Sequence, residues 1–123
     1  MLVRLAVAFF LAPLAVSAGE LRLLMVEQPG CAYCARWEEE IGPKYALTAE
    51  GQAAPITRVQ LRAPLPEGLT TARPASFTPT FILLDDGTET GRIEGYPGED
   101  FFWPMLSALI AQAQSPGAED IGE

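Results

Sequence analysis

EQPGCAYCARW, residues 27–37, contains the only two cysteines of this 123-residue chain, Cys31 and Cys34. The apolar residues 20–28 read as a buried strand, and residues 32–41 are rich in helix formers. The two cysteines are therefore predicted to lie at a strand-to-helix junction. Four explanations fit such a pair: a structural disulfide, half of a metal site, a lipid anchor or a working redox pair.

The N-terminus has the pattern of a secretory signal peptide. A short basic start precedes twelve apolar residues, LAVAFFLAPLAV, and the small residues Val16 and Ala18 are spaced as a cleavage site requires. A membrane span would need roughly 20 apolar residues, and Pro13 interrupts this run. We predict that residues 1–18 are removed on export to the periplasm. No cysteine directly follows the apolar run, which excludes a lipid anchor.

Removal of the 18-residue signal leaves 105 of the 123 residues, enough for one domain, predicted at 19–114, and a flexible acidic tail at 115–123. Loss of Arg4 changes the formal net charge from −8 to −9. Such an acidic surface argues against nucleic acid as a partner, because nucleic acids attract clustered positive charge. The chain contains no histidine. The commonest general base and the commonest metal ligand are thus missing.

The remaining sequence indicates two strands, a hairpin partner and a closing helix. Residues 56–61, ITRVQL, alternate as a strand does, and residues 62–76 contain three prolines and read as a loop. The apolar strand TFILL, 80–84, leads through the turn at 85–87 into a paired strand, GRIEGY, at 91–96. The last helix begins near YPGED and has apolar residues at helical spacing that are predicted to be buried: Phe101, Phe102, Met105, Leu106, Leu109 and Ile110.

This order of elements, with a CxxC motif at the first strand-to-helix junction, resembles the thioredoxin fold, an α/β fold with a central mixed sheet flanked by helices. A second motif supports the resemblance. In FTPTFILL, residues 77–84, Pro79 follows Thr78 and precedes an apolar strand, which is similar to the cis-proline loop of the thioredoxin family. The resemblance covers residues 20–114 and implies that this loop lies against the cysteines.

The position of Cys31 at a helix start favours its thiolate, because unpaired backbone N–H groups and the helix dipole stabilise negative charge there. Cys31 would attack a substrate disulfide, and the more buried Cys34 would resolve the mixed disulfide. The resemblance implies that Thr78 and Pro79 bind the substrate as an added strand. Tyr33, between the two cysteines, is assigned to the same substrate-binding surface.

Proton transfer to and from Cys34 needs a further residue. Cytoplasmic thioredoxins have a buried aspartate six residues before the first cysteine, and Met25 stands there in this chain. Glu27 is two residues later and so on the same face of the strand. It is the candidate catalytic proton acceptor, and the alternative is a solvated glutamate at the end of a strand.

The redox explanation is the one that accounts for where the cysteines lie. A disulfide that closes four residues restricts the unfolded chain by only about 2 kcal/mol, so a purely structural role is poorly placed. Zinc needs four ligands, which two thiols without histidine do not supply. We expect no metal and no cofactor. A non-enzymatic copper or thiol carrier that uses the same two sulfurs is kept as the alternative function.

The short chain leaves no room for the extra domains of exported oxidases and isomerases in this superfamily, which favours a small reductase. The segments EQPGCAYCARWEEEIGPKY, TPTFILLDDG and GRIEGYPGEDFFWPML resemble the small periplasmic thioredoxins of bacterial sulfur-oxidation systems. The resemblance implies a protein disulfide substrate, namely the carrier protein whose cysteine bears the sulfur intermediates. It also implies a membrane thiol transporter as the reductant.

Overall fold

The structure, a computed structural model, describes residues 6–11 and 19–115. Residues 6–11 are exposed and form no helix or strand. The rest of the predicted signal peptide, and the predicted tail after Ser115, lie outside the described residues.

The helices and strands are, in chain order, β1 (Leu21–Glu27), α1 (Ala32–Glu40), α2 (Gly42–Tyr45), α3 (Ala49–Ala53), β2 (Ile56–Gln60), β3 (Thr80–Asp85), β4 (Thr88–Glu94) and α4 (Glu99–Gln114). Within the described ranges, no helix has the length and apolar character needed to cross a bilayer.

The four strands form one mixed sheet in the order β2-β1-β3-β4. β1 is parallel to β2 and antiparallel to β3, which is in turn antiparallel to β4. The inner strands β1 and β3 are buried on both faces, so that even consecutive residues such as Leu23 and Leu24 are 0% exposed. Burial on both faces explains why these two strands are continuous apolar runs in the sequence.

The two faces of the sheet are covered differently. Leu23 and Met25 of β1 pack against residues of α1, α2 and α4, whereas Leu24 and Val26 point to the opposite face. On that opposite face the sheet packs against residues that follow β2 in the chain: Leu61, Leu69 and Ala75. The predicted thioredoxin-like fold is therefore confirmed, with helices on one face and the loop between β2 and β3 on the other.

A cluster of aromatic rings fills the core between the sheet and the helices. Phe102 of α4 lies at its centre, with its ring centroid 5.0 Å from Phe81, 5.9 Å from Trp37, 6.1 Å from Tyr96 and 5.4 Å from Trp103. Because these rings come from α1, β3, α4 and the segment after β4, the cluster fixes the position of α1, the helix that begins next to the cysteines.

The predicted apolar stripe of α4 is wider than the buried one. Phe101 and Met105 are 66% and 43% exposed, so the prediction that they are buried was wrong, and Leu109 is half-buried. Neighbouring residues of a helix point about 100° apart, so residues adjacent in sequence do not face the same sheet equally. The fully buried positions recur at a spacing of four residues: Phe102, Leu106 and Ile110.

The turn between β3 and β4 is tighter than the sequence suggested. Asp86 and Gly87 have φ angles of 48° and 84° and make a two-residue hairpin connection. β4 consequently starts at Thr88, three residues before the predicted start at Gly91.

Candidate active site

Cys31 and Cys34 form a disulfide at the start of α1, with their Cα atoms 5.2 Å apart. Cys31 is the N-cap of the helix, and its sulfur accepts a hydrogen bond of 3.1 Å from the backbone N–H of Cys34. Gly30, with φ of 78°, supplies the turn that brings the chain from β1 into the helix. The backbone donor and the positive end of the helix both favour negative charge on the sulfur of Cys31 once the disulfide is reduced.

The two sulfur atoms differ in accessibility. Cys34 is 5% exposed and belongs to the main core, while Cys31 is partly buried and packs against the outside of that core. A nucleophile that meets another protein must be reachable, whereas a resolving thiol needs to reach only its neighbour. Cys31 is thus the more accessible of the two sulfurs, and the order of attack stays a prediction.

The loop before β3 lies beside the cysteine segment. The Thr78–Pro79 peptide bond is cis, the isomer that the resemblance implies. The side chain of Gln28 donates a hydrogen bond of 2.9 Å to the hydroxyl oxygen of Thr78. Pro79 is buried, and its carbonyl oxygen accepts a hydrogen bond of 2.8 Å from the N–H of Gly95. This loop thus contacts both the segment before the cysteines and the segment after β4.

Two exposed aromatic side chains belong to the segments that form this site. Tyr33, between the cysteines, is 58% exposed, and Phe77, directly before Thr78, is 46% exposed. Sequence analysis selected Tyr33 and overlooked Phe77 and Gln28. The position of Phe77 next to the proline motif was the available signal, but exposure of an aromatic residue is not encoded in the motif itself.

Glu27, the candidate proton acceptor, lies at a cavity that both cysteines also line. It lines an open cavity of about 550 Å³ together with Cys31, Cys34, Glu38 and Gln60. Loop residues 28–30 and the first turn of α1 complete the wall. The carboxylate of Glu27 and the sulfur of Cys34 therefore line the same water-accessible space, which is the arrangement that proton transfer through water requires.

Glu38 is a second carboxylate at this cavity, and sequence analysis did not identify it. Its two oxygens accept hydrogen bonds of 2.6 Å and 3.0 Å from the guanidinium group of Arg58 on β2. This contact raises the pKa of Arg58, mainly through the hydrogen bond to the carboxylate. The guanidinium carbon also lies 5.8 Å from the ring centre of Trp37. The available signal was helical spacing, because Glu38 follows Cys34 by four residues.

A second ionic group connects α1 with the segment after β4. The carboxylate of Glu40 accepts hydrogen bonds from the hydroxyl of Tyr96 and, at 2.8 Å, from Arg36. These two bonds, that from Tyr96 first, lower the pKa of Glu40 below its usual range. Burial, followed by the bond to Glu40, raises the pKa of Tyr96, which stays a neutral donor. The group holds Tyr96 against the helix that carries the cysteines.

Comparison with known proteins agrees with this fold and site. The family model described as a thioredoxin-like domain matches residues 13–110. Among solved structures, the periplasmic thioredoxin SoxS from Paracoccus pantotrophus, in its reduced form, is 68% identical and superposes with a TM-score of 0.75. That match covers 76% of this chain and 99% of the SoxS chain. The comparison with curated proteins finds no significant match.

A cysteine pair at the start of a helix on a mixed sheet, together with these matches, defines a thiol-disulfide oxidoreductase, and the chain belongs to the thioredoxin-like family. It is a periplasmic enzyme of this family and resembles the Sox-associated thioredoxins, as the sequence predicted.

Proposed function

We propose that the protein is a reductase that returns an oxidised cysteine of a protein in the sulfur-oxidation system to its thiol form. The observation that carries this proposal is the asymmetry of the pair, with Cys31 accessible at the helix start and Cys34 enclosed in the core. The similarity to the periplasmic thioredoxin SoxS supports the choice of system. The proposed substrate is the carrier protein whose cysteine bears the sulfur intermediates.

The first step is attack on the substrate. The thiolate of Cys31 attacks one sulfur of the substrate disulfide, forms a mixed disulfide with it and releases the other substrate sulfur as a thiolate. In this step the substrate segment lies along Thr78 and Pro79 as an added strand, with Tyr33 beside it. The hydrogen bond from Gln28 to Thr78 supports this assignment, since it fixes the docking segment relative to the cysteines.

The second step releases the substrate. Cys34 loses its proton to Glu27, directly or through water in the cavity that both residues line, and its thiolate attacks the sulfur of Cys31. The mixed disulfide breaks, the substrate cysteine leaves as a thiolate, and the Cys31–Cys34 disulfide forms. The enzyme has then been oxidised by two electrons and the substrate reduced by two. A membrane thiol transporter restores the dithiol and completes the cycle.

Trapping the mixed disulfide tests this proposal. A Cys34→Ser variant expressed in the periplasm should accumulate a covalent complex that dithiothreitol releases, and mass spectrometry should identify the sulfur-carrier protein in it. The matched control is Cys31→Ser, which leaves only the enclosed thiol and should trap little. A complex that forms equally with either variant would contradict the roles proposed for the two cysteines. A complex that consistently lacks sulfur-oxidation proteins would contradict the proposed substrate.

We also propose the domain limits predicted from the sequence: a signal peptide at 1–18, the thioredoxin-like domain at 19–114 and an acidic tail at 115–123. The small residues before position 19 support the cleavage position. The mass of the protein isolated from the periplasm should correspond to a chain that begins at Gly19. A mass that retains the first 18 residues would refute cleavage at this position.

A further inference from the structure

Glu89 and Arg92, both on β4, form a buried ion pair outside the site described above. Their side chains are each 6% exposed, and the guanidinium group donates hydrogen bonds of 2.6 Å and 2.7 Å to the two carboxylate oxygens. Burial of two charges costs so much free energy that a buried pair is weak support for stability by itself. The other contacts of the pair are therefore informative.

Those contacts fasten the loop between β2 and β3 to the sheet. The carboxylate of Glu89 accepts a hydrogen bond of 2.9 Å from the N–H of Ala72, and Arg92 donates one of 2.7 Å to the carbonyl oxygen of Arg73. The side chain of Arg73 forms an ion pair with Glu94 of the same strand. Two consecutive loop residues are thus held by three side chains of β4.

The fastened residues lead directly to the substrate-docking segment. Only residues 74–76 separate Arg73 from Phe77, whose carbonyl oxygen accepts a hydrogen bond of 2.7 Å from the buried hydroxyl of Thr80. Three residues span at most about 11 Å, so the position of Arg73 limits where Phe77 and Thr78 can lie. Thr78 is in turn hydrogen-bonded to Gln28. The loop is therefore attached at the ion pair, at Thr80 and beside the cysteines.

We infer that Glu89 and Arg92 are positioning residues for substrate binding, which hold the loop so that the backbone of Thr78 is ready to pair with the substrate segment. This inference rests on the docking role proposed for Thr78. Neither residue touches the reacting sulfurs, so the pair affects how a protein substrate binds and leaves the chemistry of Cys31 unchanged. A merely structural pair would instead alter stability alone.

The test separates binding from chemistry. Pre-reduced protein is mixed with increasing concentrations of insulin, and its oxidation is followed in a single turnover by acid quenching and thiol labelling. The variants are Arg92→Lys, which keeps the charge but not the branched set of donors, and Glu89→Leu/Arg92→Met, which replaces both charges by apolar groups. Lys44→Met is the matched control, because it removes the ion pair with Glu99 far along the chain from the loop.

In both loop variants the half-saturating insulin concentration should rise by about fivefold, the loss expected for one or two backbone hydrogen bonds. Two other quantities should stay within about twofold of the parent protein, because the reacting thiols are intact: the maximal rate with insulin and the rate with the small disulfide 5,5′-dithiobis(2-nitrobenzoic acid). In Lys44→Met these two rates and the half-saturating insulin concentration should all stay within about twofold of the parent protein. Urea unfolding checks that each variant is folded. If the double variant does not fold, the Arg92→Lys variant alone decides the question.

An Arg92→Lys protein that is less stable but has an unchanged half-saturating concentration would show a structural pair and overturn the inference. A parent protein that reduces the small disulfide rapidly but shows no saturable reaction with insulin would refute the docking role of Thr78 itself, and the inference with it. These two results are distinguishable because the first concerns the variant and the second the parent protein.

Discussion

Replacement of Phe102 by alanine tests the aromatic cluster that supports the active site. Phe102 is 0% exposed and is packed edge-on against four other rings. One of these belongs to Trp37, which lies on α1 three residues after Cys34, and another to Phe81, which lies two residues after Pro79. Loss of this ring removes contacts to both segments that form the site.

The expected cost follows from two contributions. Returning a buried phenylalanine side chain to water costs about 2–3 kcal/mol. Three of the four surrounding rings are held by other parts of the chain, so the space closes only in part, and a residual void of about 80 Å³ adds roughly 2 kcal/mol at about 24 cal/mol per Å³. We therefore expect the free energy of unfolding to fall by about 4 kcal/mol, which lowers the melting temperature by roughly 20 °C in a domain of this size.

Urea unfolding of the oxidised proteins, followed by far-ultraviolet circular dichroism, measures this change. The adjacent Phe101 is the matched control, since it has the same side chain on the same helix and is 66% exposed. Phe101→Ala should change the free energy of unfolding by less than about 0.5 kcal/mol. Equal destabilisation by the two substitutions, at an unchanged dependence on urea, would refute the packing described for α4.

Three further predictions concern the site and its surroundings. In the reduced protein at pH 7, iodoacetamide should modify Cys31 at least about tenfold faster than Cys34, because the helix start favours the thiolate of Cys31 and Cys34 is enclosed. Mass spectrometry of the digested protein measures the two rates, and equal rates would contradict the assigned roles. Glu27→Gln should slow resolution of the mixed disulfide at least about tenfold at pH 7, with a smaller deficit at pH 9, where Cys34 ionises unaided. Quenched single-turnover kinetics measure the resolution rate, and a deficit that does not vary with pH would contradict a proton-accepting role for Glu27. Burial raises the pKa of Glu89, but hydrogen bonds from Arg92 and the backbone outweigh burial and hold the pKa below its usual value of 4.5. The stability contributed by this carboxylate is therefore present at neutral pH and lost as the pH falls below about 4.5, so urea midpoints of Glu89→Gln between pH 7 and 3 should decline less steeply than those of the parent protein.

The parts of the site that depend on short segments could be predicted from the sequence. The CxxC motif between an apolar strand and a helix-forming run places Cys31 at a helix start by local chain geometry alone. Strand alternation likewise places Glu27 on the face of Met25, because side chains of a strand alternate with a period of two. Both inferences concern residues that are close together in the chain.

The parts that depend on contacts between distant segments could not be predicted. The hydrogen bond between Gln28 and Thr78 joins side chains 50 residues apart, and no periodicity indicates which loop will approach which. The same holds for Glu38 and Arg58, 20 residues apart. The error at Phe101 has a different origin, since the stripe pattern reports that a helix has an apolar side but not how wide a strip the sheet covers.

The loop fastened to β4 has a consequence for how separate copies of the protein meet. Thr70 of this loop donates a hydrogen bond of 2.7 Å to the carbonyl of Gly87 and accepts one of 2.9 Å from the N–H of Glu89. It thereby occupies the backbone N–H of Glu89, at the start of the outer strand β4, which could otherwise pair with a strand of another molecule. The loop that leads to the docking segment thus also blocks strand pairing at the start of this sheet edge, which disfavours edge-to-edge aggregation there.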